Sequence, residues 1–141
     1  MSEVDGLFAD LRDISSALNQ ELTTVNERIT ALEESISELK LGVTVWMSIE
    51  KTSDDYGNVY ETLLGWAKDR HGWGLFLLDQ KNDEPQGDPR RLSDGAREER
   101  LAALQAIPAF LKKMKEEAAR VLKEVQRVTQ SGPRVIVRAK A

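Results

Sequence analysis

Apolar residues recur at alternating steps of three and four along residues 4–39, and this repeat constrains the fold more than any other feature. Such steps place the apolar residues on one side of a long helix, where a second helix must cover them. A helix over residues 3–40 would be roughly 57 Å long, longer than a compact domain of this size is wide. The repeat consists of Val4, Leu7, Leu11, Ile14, Leu18, Leu22, Val25, Ile29, Leu32, Ile36 and Leu39.

We interpret the repeat as a coiled-coil seam for self-association. Two successive four-residue steps at Ile14–Leu18–Leu22 form a stutter that locally unwinds a left-handed supercoil. The residue types leave the oligomer number and the helix orientation open, and packing within the monomer against residues 104–128 is the alternative. We expect the helix to end at Gly42. The predicted oligomerisation residues are Leu11, Ile14, Leu18, Leu22, Val25, Ile29, Leu32, Ile36 and Leu39.

From residue 43 the pattern changes to strict alternation, which predicts β-strands. Strands are expected from residue 43, over 59–68 and over 73–80, with a tight hairpin at Asp69–Gly72. Both faces of this three-stranded antiparallel meander are apolar. We therefore expect either that other elements of the chain cover both faces of the sheet or that one face binds a partner.

A second helical region begins after Ser93, with apolar steps of three and four from Leu104 to Val128. Pro108 either kinks one long helix or separates two. Gly132 and Pro133 predict its end, and the basic tail that follows is either an edge strand or disordered.

These elements predict an α+β fold with a long N-terminal coiled-coil helix, a small β-meander and a long C-terminal helix. The expected organisation is an oligomerisation helix over 1–41 and an α+β domain over 42–132, followed by a tail over 133–141. Within the domain we expect the meander over 43–80, a loop over 81–92 and a helix over 93–131.

Charge is distributed unevenly along the chain. Residues 1–41 carry nine acidic and three basic side chains, a net charge of −6, whereas residues 93–141 carry six acidic and eleven basic ones, a net charge of +5. The acidic and basic helices suit each other within or between molecules. The basic last third also leaves a nucleic-acid-associated regulator as an alternative function, although the chain has no nucleic-acid-binding motif.

Few residues suit catalysis or metal binding. The chain has no cysteine and one histidine, His71, in a predicted turn. No nucleophile, acid–base or phosphate-loop motif occurs, so we expect neither an enzyme nor a cofactor or metal. With no secretory signal and no long apolar run, a cytoplasmic protein away from membranes is expected.

Two small groups of residues are candidates for binding. Arg90 and Arg91 precede the predicted Ser93 helix cap, where guanidiniums and free N–H groups suit an anion. Trp46, Trp66 and Trp73 are numerous for a small sheet and suggest either core packing or a partner face. The favoured function is a non-enzymatic, homo-oligomeric adaptor that binds a protein partner.

Overall fold

The computed structural model describes the backbone of residues 2–140 and the side chains of residues 2–131. The architecture confirms the predicted α+β class. Along the chain, a long helix is followed by a small antiparallel sheet and then by a second long helix. A short 3₁₀ turn at Leu92–Asp94 precedes the second helix. The elements are α1 Ser2–Glu38, β1 Val45–Ser53, β2 Val59–Asp69, β3 Gly72–Lys81, β4 Glu84–Pro85, β5 Arg90–Arg91 and α2 Arg97–Lys140.

The three long strands form the predicted meander in the order β1-β2-β3, and the short β4 and β5 both pair with β3. Arg70 and His71 connect β2 to β3, and Gly72 then takes a positive φ of 112°, as its position in the turn predicts. Asn82 and Asp83, with φ of 51° and 66°, connect β3 to β4. Two such residues match the type I′ turn that fits the twist of a hairpin.

The core lies between one face of the sheet and both helices. Alternation along β1, β2 and β3 directs one set of side chains to this face, where they meet apolar side chains of α1 and α2. Burial of so many aliphatic and aromatic groups is the main stabilising term of the body. The buried set includes Ile29 and Ile36 of α1, Leu64, Trp66, Leu75 and Leu77 of the sheet, and Ala103, Ile107, Phe110 and Met114 of α2.

The two helices meet beside each other on the sheet. Arg100 donates to the Asn26 side chain at 2.5 Å, and Leu32 of α1 lines one groove between the helices with Leu104 and Ile107 of α2. Contacts therefore advance in the same direction along both helices. The two helices therefore run parallel and do not form an antiparallel hairpin.

The helix ends differ from those predicted. The first helix ends at Glu38, and Lys40 rather than Gly42 takes the first positive φ, of 50°, with its N–H donating to Ser37 O. The second helix begins at Arg97, four residues after Ser93, because residues 92–94 form the 3₁₀ turn.

The second helix is also longer than the sequence suggests. It is continuous through Pro108, and its backbone stays helical to Lys140, past the end predicted at Gly132 and Pro133. The side chains of the predicted tail and the whole of Ala141 lie outside the described residues.

Candidate interaction surfaces

The first half of α1 extends beyond the body of the protein. Every residue from Ser2 to Glu21 is exposed. Five apolar side chains of this segment, which we call the N-terminal stripe, therefore lie uncovered on one side of the helix; Ile14, for example, is 61% exposed. Phe8, which the seam prediction omitted, widens the stripe and is also exposed. The N-terminal stripe is Val4, Leu7, Leu11, Ile14 and Leu18.

The second half of the predicted seam is used within the chain itself. Ile29 is 1% exposed and Ile36 is 4% exposed, and Val25 and Leu32 pack against the same core. Leu22 is half-buried, and Leu39 is exposed beyond the helix end. The structure thus divides the seam into a stretch that covers the sheet and the N-terminal stripe that has no cover among the described residues.

The N-terminal stripe continues the helix face that enters the core. Val4 and Leu22, like Leu11 and Ile29, are 18 residues apart, which is five full turns of an α-helix. The stutter between Ile14 and Leu22 provides this spacing, because it cancels the drift of a strict heptad repeat. The apolar face is therefore one straight surface, half buried and half exposed.

The end of α2 repeats this arrangement. Residues 122–131 are all exposed, and their apolar side chains Leu122, Val125 and Val128 form what we call the C-terminal stripe. Val125 and Val128 lie 18 residues after the buried Ile107 and Phe110, and so continue the core face of α2. The three-and-four step in the sequence includes Val125 and Val128 but not Leu122, and only the structure shows that the core ends before all three.

Comparisons with models of protein families, with curated proteins and with solved structures find no match to this chain. In the part of the chain that the structure describes, no helix combines the length and apolar character needed to cross a membrane.

The three tryptophans do not form one face. The rings of Trp66 and Trp73 stack with centroids 6.0 Å apart on the core side of the sheet, and Trp66 is buried. Trp46 points to the opposite face, where its ring covers Gly65. The core-packing interpretation therefore applies to Trp66 and Trp73, and Trp46 alone lies on the outer face.

Arg90 is enclosed by carboxylates of its own chain. It donates to Asp79 at 3.0 Å and pairs with Glu99 in the first turn of α2. Partial burial lowers the pKa of Arg90, but its hydrogen bonds and ion pairs with Asp79 and Glu99 raise the pKa by more, so it stays charged. Glu99 also accepts a hydrogen bond from Ala96 N–H at 2.9 Å, which caps the helix.

Arg91 is held in the same way. It donates to Asp69 at 2.8 Å, lies 3.9 Å from Glu33 of α1 and places its guanidinium 4.6 Å from the ring centroid of Phe76. Partial desolvation raises the pKa of Asp69, but the His71 N–H and the charge of Arg91 lower it by more, so Asp69 stays ionised. The anions that both arginines bind are thus carboxylates of this chain, and these pairs join β5 to β2, β3, α1 and α2.

Side chains suited to catalysis or metal binding do not cluster among the described residues. His71 is exposed in its turn, where its backbone N–H donates a hydrogen bond to Asp69 and its ring accepts one from Arg70. Among the residues that the structure describes, no three acidic or histidine side chains converge on a point where a metal ion would bind.

Two basic residues of α2 are already used within the chain. Lys113 donates to Trp46 O at 2.7 Å, and Arg120 pairs with Glu117. Binding of nucleic acid by this helix stays a prediction.

Proposed function

We propose that this protein is a non-enzymatic, self-associating interaction protein whose copies pair through the first half of α1. The observation that carries the proposal is the N-terminal stripe, which runs for roughly 20 Å along a helix that extends past its own core. An apolar surface of this length on a rigid helix favours association, because water is released when a second helix covers it.

The structure narrows the set of residues that we assign to association. Val25, Ile29, Leu32 and Ile36 already contribute to the core of one chain, so their replacement would unfold the body rather than separate copies. The proposal therefore rests on the N-terminal stripe, with Phe8 at its side.

The biological use that we propose is that of an adaptor. Joining copies through α1 places several identical bodies within a fixed distance of one another, which raises the effective concentration of any binding surface on the body. A weak interaction of the body with a protein partner then becomes a strong one, without additional contacts in each copy.

The test compares Leu11→Asp with Ser16→Asp by light scattering at equal concentration. Leu11 lies in the N-terminal stripe, whereas Ser16 is exposed on the opposite side of the same helix. We expect the wild type and Ser16→Asp to share one oligomeric mass and Leu11→Asp to fall towards 15.8 kDa, the mass of one chain. Equal masses for Leu11→Asp and Ser16→Asp would rule out this surface.

A further inference from the structure

The C-terminal stripe has no role in the proposed function so far, yet it resembles the N-terminal stripe closely. Each stripe continues a helix face that is buried in the body, and each lies fully exposed where its helix extends past the core. Because contacts between α1 and α2 advance in the same direction, the two extensions leave the body at opposite ends. The two stripes of one chain therefore do not meet.

We propose that the N-terminal stripe of one copy packs against the C-terminal stripe of a second copy. This inference rests on the proposed self-association and names the surface that completes it. Inside the body, apolar residues of α1 and α2 already lie on the same core, and Leu32 lines one groove with Leu104 and Ile107. An α2 from another copy would continue the apolar cover of α1 beyond the end of the core, in the opposite orientation to the α2 of its own chain.

Net charge favours this pairing over pairing of two α1 helices. Residues 2–21 carry five acidic and one basic side chain, a net charge of −4, whereas residues 119–131 carry one acidic and three basic ones, a net charge of +2. Two α1 extensions repel each other, and an α1 and an α2 extension attract. The bases of α2 lie mostly away from its stripe, so the attraction acts over the length of the helix and speeds encounter rather than forming individual ion pairs.

Apolar residues at the edges of the two stripes indicate the relative orientation of the paired helices. Phe8 flanks the N-terminal stripe, and Leu122 forms the equivalent edge of the C-terminal stripe, since each follows a position of the three-and-four repeat by one residue. Equivalent flanks face each other when two helices run antiparallel, which brings Phe8 against Leu122 of the second copy. A parallel arrangement would instead place Phe8 against Glu124. If a two-fold axis perpendicular to the helices relates the two copies, each dimer contains two such antiparallel pairs.

The test uses two variants that each lose one stripe. The first is Leu11→Asp with Ile14→Asp, and the second is Val125→Asp with Val128→Asp; all four side chains are exposed in the single chain, so the fold is retained. Each variant alone should sediment as a monomer. An equimolar mixture should recover a dimer, because the second variant keeps its N-terminal stripe and the first keeps its C-terminal stripe. Gln130→Asp, on the opposite side of α2 from Val125, should behave as the wild type.

A salt series on the wild type gives a second readout that needs no variant. If an acidic extension meets a basic one, the dissociation constant should rise about threefold or more between low and high NaCl, since salt screens the attraction. Pairing of two acidic α1 extensions would strengthen with salt.

The inference is overturned if either double variant alone keeps the wild-type mass, if the mixture stays monomeric, or if salt tightens association. An oligomeric wild type that is insensitive to Val125→Asp with Val128→Asp would leave the proposed function intact and remove this inference alone. A monomeric wild type would remove both.

Discussion

At the outer face of the sheet, the ring of Trp46 covers the backbone of Gly65. A Cβ atom added at Gly65 would lie 2.2 Å from Cε3 of the indole, so no side chain fits while Trp46 keeps this position. Aromatic cover of a strand glycine compensates for the packing that glycine lacks. The pair thus anchors the start of β1 on β2.

We expect Gly65→Ala to destabilise the protein by roughly 1–3 kcal/mol, since the rigid indole must move to admit a methyl group. Urea unfolding followed by far-UV circular dichroism measures this loss. In a Trp46→Ala background the same change should cost much less. An equal loss in both backgrounds would show that the contact with Trp46 is not the cause.

Asp54 closes the turn between β1 and β2 with several hydrogen bonds to one carboxylate. The Asn58 amide donates at 3.0 Å, the backbone N–H groups of Tyr56 and Asn58 donate at 2.9 and 3.0 Å, and the Tyr60 hydroxyl donates at 3.3 Å. The Asn58 side chain, above all, lowers the pKa of Asp54 below its ordinary value, against a smaller opposing effect of desolvation. The folded state thus favours the ionised form.

A lowered pKa in the folded state makes the contribution of Asp54 depend on pH. It is fully present above the ordinary aspartate pKa of about 4 and is lost as the pH falls through the lower pKa of the folded state. Wild type should therefore be more stable than Asp54→Asn at neutral pH, and the difference should vanish on acidification. Urea unfolding of both proteins from pH 7 to pH 2 measures it; a difference that is constant with pH would contradict this role.

At the scale of elements, one apolar face of α1 is buried in the second half of the helix and exposed in the first half. Ile29 is buried against the sheet, whereas Ile14 on the same side of the helix is exposed. The two isoleucines share helix, residue type and face, so they form a matched pair for separating core packing from surface effects.

We expect Ile29→Ala to destabilise the protein by roughly 2–5 kcal/mol, because it leaves a cavity in the core. Ile14→Ala should change the stability of the unassociated chain by less than about 0.5 kcal/mol. Thermal unfolding of both variants at a concentration too low for association measures the contrast. Similar losses at the two positions would mean that the first half of α1 is also packed in the monomer.

Sequence patterns were sufficient for the three long strands and for the fold class, but not for the short β4 and β5, which form within the predicted loop over 81–92. Alternation along β1, β2 and β3 fixes which side chains share a face, and the hairpin before Gly72 follows from the freedom of glycine at positive φ. These features are local, so residue order alone determines them.

The division of α1 could not be predicted, because an amphipathic helix on a sheet and a coiled-coil helix share nearly the same apolar spacing. Tertiary contacts of Ile29 and Ile36 determine the point along α1 at which the helix leaves the sheet. The roles of Arg90 and Arg91 were hidden for the same reason: Asp69, Asp79 and Glu33 are distant in sequence and meet the arginines only in the fold.

At the scale of the whole molecule, a small α+β body carries two helical extensions of opposite net charge and similar apolar character. Among the described residues nothing covers the N-terminal stripe, and the C-terminal stripe of the same chain leaves the body at the other end. We therefore propose that a second copy covers it, through pairing of the unlike extensions.

Sedimentation equilibrium of the wild-type protein over a wide concentration range distinguishes a self-associating chain from a monomer. We predict a weight-average mass that rises above 15.8 kDa with concentration and levels off at a multiple of it. A mass that stays at 15.8 kDa at every concentration would contradict the account.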